Sequence, residues 1–135
     1  MVGNRALSEK LLEAEFIKIL YGEELPFDRI FITEVILRPH GPEIFLKFNV
    51  SRLPIDIPKK WGRINRVSIN MSFLGIRSLS LAKLSYPRES SLLGSVPDDG
   101  GVIRISIRGE IELDFECEFV SVKGVGGYWY SDESY

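Results

Sequence analysis

The chain has one cysteine, Cys117, and one histidine, His40. A lone cysteine forms no internal disulfide, so a reducing cytoplasm is the simplest setting. Cys117 falls on an apolar face between Glu116 and Glu118, surroundings that resist a thiolate. His40 sits in the turn cluster Pro39, His40, Gly41, Pro42 and reads as a turn residue rather than a general base. Soft ligands are too few for zinc. Asp98 and Asp99 lack the spaced ligands of a calcium loop and read as a tight turn. Gly124, Gly126 and Gly127 open no helix, so a phosphate cradle is not expected. No segment approaches the apolar run of ~20 residues that spans a bilayer. The first eight residues lack the basic-then-apolar layout of a secretory signal. These gaps lead to an expectation of no catalytic residue, no metal, no cofactor and no membrane partner.

Acids are missing from one long stretch. Residues 57–88 contain no Asp or Glu, yet hold Lys59, Lys60, Arg63, Arg66, Arg77, Lys83 and Arg88. Residues 110–135 reverse this, with Glu110, Glu112, Asp114, Glu116, Glu118, Asp132 and Glu133 against Lys123. The formal net charge of −2 hides this asymmetry. Either the two segments meet and neutralise each other across a sheet, or the molecule is dipolar with an acidic docking face.

What is present is alternation. Ile103, Ile105 and Ile107 alternate with Arg104, Ser106 and Arg108. After Gly109, Ile111, Leu113, Phe115, Cys117 and Phe119 alternate with the five acids from Glu110 to Glu118. Successive side chains of a strand point to opposite faces, so this is a hairpin with one dry side and one acidic side. Ile107 and Ile111 share a face, which requires an odd loop. Three residues, Arg108 to Glu110, would set Arg104 opposite Asp114. A phase flip after Phe119 reads as a bulge. Gly124 to Gly127 should then loosen the chain before Tyr128, Trp129 and Tyr130.

Upstream, residues about 5–21 read as one helix. Leu12, Phe16, Ile19 and Leu20 form its main stripe, and Leu7, Leu11 and Ala14 a weaker one. Asn4 and Ser8 are candidate N-caps, and Gly22 suits the position past the end. Strands follow over residues 30–38, 43–50, 66–73 and 76–84, the last with Leu79 and Leu81 inward. Pro54 and Pro58 exclude a central strand over residues 52–61. Leu92, Leu93 and Val96 supply one short strand. The 135 residues fit a single domain. Its class is mainly β (α+β): an antiparallel curved sheet or two-sheet sandwich of about seven strands, spanning residues about 29–131, with one N-terminal helix packed on it.

From Pro58, Lys59, Lys60 and Trp61 through Asn65 and Arg66 into Val67, Ile69, Met71 and Phe73, the chain resembles the immunity protein 50 family of bacterial polymorphic toxin systems. Gly75 and Ile76 then give a Gly-Ile turn, and Leu79 and Leu81 a Leu-x-Leu strand. The likeness extends upstream through Pro26-Phe27 and the Gly41-Pro42-x-Ile-x-Leu continuation, and downstream to the late hairpin. Where the family carries a Gly-Trp pair after the Leu-x-Leu strand, this chain has Ala82 and Lys83. The resemblance implies a small cytoplasmic protein that binds and neutralises a cognate toxin domain without chemistry of its own. Pro58, Trp61, Asn65 and Gly75 match the motif and are expected to be structural. The expected contact surface is the acidic face Glu110, Glu112, Asp114, Glu116 and Glu118, which would speed encounter with a basic toxin. The aromatic group Tyr128, Trp129 and Tyr130 is the second candidate. The alternative is a small nucleic-acid- or ligand-binding β module using basic residues 59–88; the sequence pI of about 5.5 argues against nucleic acid.

Overall fold

The computed structural model describes residues 3–85, 89–96 and 102–131, with side chains from residue 7 onward. The elements are α1 (Gly3–Lys10), β1 (Leu11–Leu12), α2 (Glu15–Tyr21), β2 (Ile30–Arg38), β3 (Glu43–Val50), a single 3-10 turn (Lys59–Trp61), β4 (Arg66–Leu74), β5 (Arg77–Leu84), β6 (Glu89–Ser95), β7 (Ile103–Gly109), β8 (Ile111–Cys117) and β9 (Phe119–Tyr128). The turn expected at residues 97–101 and the acidic tail lie outside the described residues, as does the side chain of Asn4, whose backbone is within α1.

Among the described residues nine strands form one open sheet in the order β1-β9-β4-β3-β2-β6-β7-β8-β5. The mainly β class is as expected, and of the two expected forms, curved sheet or two-sheet sandwich, the strands make a single sheet, with nine strands rather than about seven. The sheet is mixed, because β1 runs parallel to β9 while the other pairs are antiparallel. It is also strongly curled. Five strand steps separate β4 from β8, about 24 Å across a flat sheet, yet the Phe73 and Phe115 rings meet edge to face with centroids 5.0 Å apart. The alternating apolar residues of both halves thus fill one core, from Ile44, Leu46 and Phe48 to Ile105, Leu113 and Cys117.

At the corner between the halves two chain segments cross side by side. Gly75 turns at φ 69° between β4 and β5. Beside it the chain bends at Glu118, whose backbone N–H donates to Leu74 O at 2.9 Å. A Cβ on Gly75 would stand 2.9 Å from Glu118 Cγ. The positive φ and this close approach both call for glycine.

The expected single helix is broken. Leu11 and Leu12 pair with Val120 and Ser121 of β9, and Glu13 takes φ 54°. A sheet edge offers these two residues inter-strand hydrogen bonds in place of helical ones, and tertiary pairing overrides local propensity. The break also changes which stripe is buried. Leu7, Leu11, Ala14, Ile17 and Leu20 are buried, whereas Ile19 is 79% and Leu12 47% exposed. Of the expected main stripe only Leu20 is in the core. Ser8 lies inside α1 and is no cap. Gly22 does end α2 as expected, at φ 68° with its N–H donating to Lys18 O.

Three register expectations change. Ile107 pairs with Leu113, so the hairpin connection is odd but longer than three residues, and Arg104 faces Glu116 rather than Asp114. A shift of two keeps every side chain on its expected face. Phe119 lies past the bend and is exposed. The bulge falls later, where Asn70 pairs with Gly124 and Met71 with Val122, leaving Lys123 as the extra residue. The glycines expected to loosen the chain are instead paired inside β9: Gly126 opposes Ser68, and Gly127 opposes Val67. Finally, Leu79 and Leu81 are 42% and 52% exposed rather than buried. Their strand, β5, is the last in the sheet and pairs only with β8.

Candidate functional site

Alternation along β8 puts Glu112, Asp114 and Glu116 on the outer face, with Glu110 before the strand and Glu118 at the bend after it. The fold therefore assembles the acidic strip, and it also supplies the counter-charges. Arg108 Nη2 lies 2.9 Å from Asp114 Oδ1, Arg104 Nε 3.2 Å from Glu116 Oε2, and Arg77 Nη2 2.9 Å from Glu118 Oε1. Lys83 Nζ stands 3.9 Å from Glu110 and in register with Glu112. Ser106 Oγ donates to Asp114 at 2.8 Å. The hydrogen bond from Arg108, helped by Ser106, holds the Asp114 carboxyl below the usual aspartate range. The cations come from the strands on either side, β7 and β5. Charge matching across neighbouring strands is thus the outcome for this face.

The aromatic group is built differently. Tyr128 ends β9 opposite Arg66, the first residue of β4. Asn65 extends that pairing by one residue: its N–H donates to Tyr128 O at 3.1 Å. Its side chain then acts like a backbone amide toward Tyr130, donating from Nδ2 to the carbonyl at 2.9 Å and accepting at Oδ1 from the N–H at 2.7 Å. Trp129 and Tyr130 are held outward, 48% and 39% exposed. The Arg63 guanidinium stacks over Trp129 at 4.0 Å from the ring centroid, and Arg66 lies 5.6 Å from that of Tyr130.

Trp61 anchors the segment from below. It closes the 3-10 turn that starts at Pro58, donating its N–H to Pro58 O at 3.0 Å, and its indole meets Phe16 edge to face. A Cβ on Gly127 would lie 2.5 Å from Trp61 Cε3, so the indole rests directly on the glycine backbone. The family-motif residues Pro58, Trp61 and Asn65 thus all bear on the aromatic segment, while Gly75 is at the far corner.

Between β2, β3, β4 and β9 lies a hollow of about 330 Å³, lined by Arg29, Phe31, Thr33, Asn49, Arg66, Tyr128 and Tyr130 among others. Arg29 is answered there by Glu89, Nη2 to Oε1 at 2.7 Å, and that hydrogen bond keeps the Glu89 carboxyl below its ordinary value. Arg66 donates to Asn65 O at 2.9 Å but faces no carboxylate among the described residues. Burial raises the Tyr128 hydroxyl above its ordinary value. Arg29 and Phe31 were not legible as site residues, because the residues they meet in the hollow are distant in the chain. Arg63 and Arg66 were legible only as part of the basic run that the alternative reading uses.

His40 is exposed in its turn. Cys117 is buried, and burial pushes its thiol up to about 12. Among the described residues no three His, Cys, Asp or Glu side chains stand together as a metal site, and no helix is long and apolar enough to cross a membrane. The arrangement offers stacking faces, fixed cations and matched ion pairs, which are means of recognition.

Among known proteins, the family described as Immunity protein 50 matches residues 13–128 of this chain. No curated protein and no solved structure matches it. The match begins at Glu13, just past the β1 leucines, and ends at Tyr128, so it takes in the curled sheet from β2 through β9. Matched over residues 13–128, the chain belongs to the immunity protein 50 family.

Proposed function

We propose that this protein is the immunity partner of a bacterial polymorphic toxin. It binds a cognate toxin domain in the cytoplasm and blocks it by occupancy, with no reaction of its own. Membership of the family over residues 13–128 carries this reading. Support for binding as the mode of action comes from the surface. Tyr, Trp and Arg are the residues most enriched at the energetic centres of interfaces, and here Trp129, Tyr130, Arg63 and Arg66 form one stacked group on the outside.

We assign the contact to this group in preference to the acidic strip. Four of the five strip carboxylates are already matched by cations of the same chain. A partner engaging them would have to compete with those pairs, and exposed pairs on a rim add little affinity.

The test is co-expression with the toxin domain encoded by the neighbouring upstream gene. Growth should be restored and the two chains should co-purify. Replacing Trp129 and Tyr130 together by Ala should weaken the complex by at least ~100-fold, as for paired aromatic anchors. Failure of the unaltered protein either to rescue growth or to co-purify would overturn the reading. Loss of binding on replacing the strip acids by Ser, with the aromatic double variant unaffected, would move the interface to the strip.

A further inference from the structure

We propose that the hollow beside Arg66 is a socket for an acidic side chain of the toxin domain, so that the surface presented by the partner is negative. This rests on the immunity reading and adds the chemistry of the contact.

The charge pattern leads to it. Among the described residues several cations are answered by carboxylates: Arg77, Lys83, Arg104 and Arg108 by the acidic strip, Arg38 by Glu43, and Lys123 by Glu13; Arg52, by contrast, lies over the Tyr21 ring and donates to Glu24 O. Even in the hollow itself Arg29 is taken by Glu89. Around the aromatic segment, cations that meet rings rather than carboxylates are grouped together. Among the described residues, Arg63 and Arg66 meet rings and backbone but no carboxylate. Lys60 likewise lies over the Phe16 ring. A chain of net charge −2 thus keeps Arg63 and Arg66 unmatched by any carboxylate of the described residues, beside the exposed rings of Trp129 and Tyr130.

Arg66 is the member of that patch suited to specific recognition. It is only partly exposed, fixed by Tyr130 on one face and by its own bond to Asn65 O, and it lines a concave surface. A planar guanidinium held this way presents its remaining N–H groups in a preset fork that matches a carboxylate. The hollow, about 330 Å³, is at the small end of ligand pockets and suits one side chain with its flanking loop. The phenol of Tyr128 and the amide of Asn49 at the wall offer further hydrogen-bonding groups.

The experiment uses the full chain and the purified toxin domain. Affinity is measured for the unaltered protein and for Arg66→Gln, Arg66→Lys and Arg77→Gln, across a salt series. Arg66→Gln should lose about 30-fold or more, as for a buried charge pair deprived of one member, and should flatten the salt dependence. Arg66→Lys should fall between, since it keeps charge but not the fork. Arg77→Gln, whose guanidinium is committed to Glu118, should change little. Arg66→Glu should abolish binding, and an Asp- or Glu-to-Arg exchange on the toxin should restore it. If the unaltered protein rescues growth but Arg66→Gln binds within twofold and keeps its salt slope, the socket falls and the immunity reading stands. If the unaltered protein fails to rescue, the immunity reading falls first. If Arg66-dependent binding follows polynucleotide and disappears from the toxin complex after nuclease treatment, the patch serves nucleic acid and the socket is overturned.

Discussion

Asn65 holds the backbone of Tyr130 at two points, with its amide nitrogen 2.9 Å from the carbonyl and its amide oxygen 2.7 Å from the N–H, across 65 positions of sequence. A side chain here stands in for one more residue of strand pairing past the end of β4. It helps to fix the segment after β9 as a platform for two exposed rings.

Asn65→Ala should therefore cost about 1–2 kcal/mol of stability, two hydrogen bonds to partly exposed groups. It should cost binding more than stability, because the platform loses its order. Asn65→Asp keeps the acceptor but not the donor and should be intermediate. Chemical denaturation read alongside toxin affinity checks this. Equal losses in both measurements would mean that Asn65 serves the fold alone.

A second prediction concerns the seat of α1. A Cβ on Gly94 of β6 would lie 2.7 Å from Leu7 Cδ2 and 2.8 Å from Leu7 Cβ. Leu7 is fully buried and has no room to withdraw. Gly94→Ala should destabilise by about 1–3 kcal/mol through overpacking. In the Leu7→Ala background the same change should cost less, since the contacts with Leu7 Cδ2 and Cγ are gone and only that with Cβ remains. Strict additivity in the double-mutant cycle would show that α1 does not rest on Gly94.

The corner between the halves gives a third. Phe73 and Phe115 join strands that lie far apart in sheet order. Phe115→Ala should remove about 3–5 kcal/mol, and Phe115→Leu much less, because the larger cavity is left by the smaller residue. Urea midpoints at unchanged slope would register the difference. A small effect for Phe115→Ala would indicate that the curl is held by the β8–β9 bend alone.

Asp114 gives a signed dependence on pH. Its carboxyl is depressed, first by the hydrogen bond from Arg108. A depressed acid favours the folded state above its unfolded value, about 3.9. That contribution is lost as pH falls through the lower folded value. With the two side chains 48% and 40% exposed, solvent screening keeps the effect within ~0.2–1 kcal/mol. The stability gap between the unaltered protein and Asp114→Asn should thus be present at about pH 7 and shrink as pH falls below the ordinary aspartate range. A gap that stays constant over this range would assign the effect to shape rather than charge.

Cys117 should be silent toward thiol reagents. Burial raises its thiol to about 12, so the reactive thiolate is nearly absent at neutral pH and the sulfur is covered. Native protein should take up no reagent over the time in which denatured protein takes up one equivalent. Fast labelling of the native chain would reveal opening between β7 and β8.

Alternation settled a good deal from sequence alone. The stretches 30–38, 43–50 and 66–73 and the late hairpin are strands, with Ile44, Leu46, Phe48, Ile69, Phe73, Ile105 and Leu113 inward, because a period of two leaves no other way to bury every second residue. The ends set by Gly22 and Gly75 were legible for the same local reason, a positive φ that glycine takes without strain. The family was legible as a resemblance, carried by the stretch around Pro58, Trp61 and Asn65 and the strands that flank it, and the match over residues 13–128 agrees.

Tertiary structure decided what depends on neighbours distant in the chain. A helical period at residues 5–21 did not reveal that β9 would recruit Leu11 and Leu12 as a strand. The Leu-x-Leu pattern at Leu79 and Leu81 did not reveal that their strand would be the sheet's last, leaving both side chains exposed. Charge counts did not tell an open acidic strip from one answered by Arg77, Arg104 and Arg108. Local pattern reports which way a side chain points. What it meets there depends on strand order and on the curl of the sheet, and these are set by contacts between residues that the sequence keeps far apart.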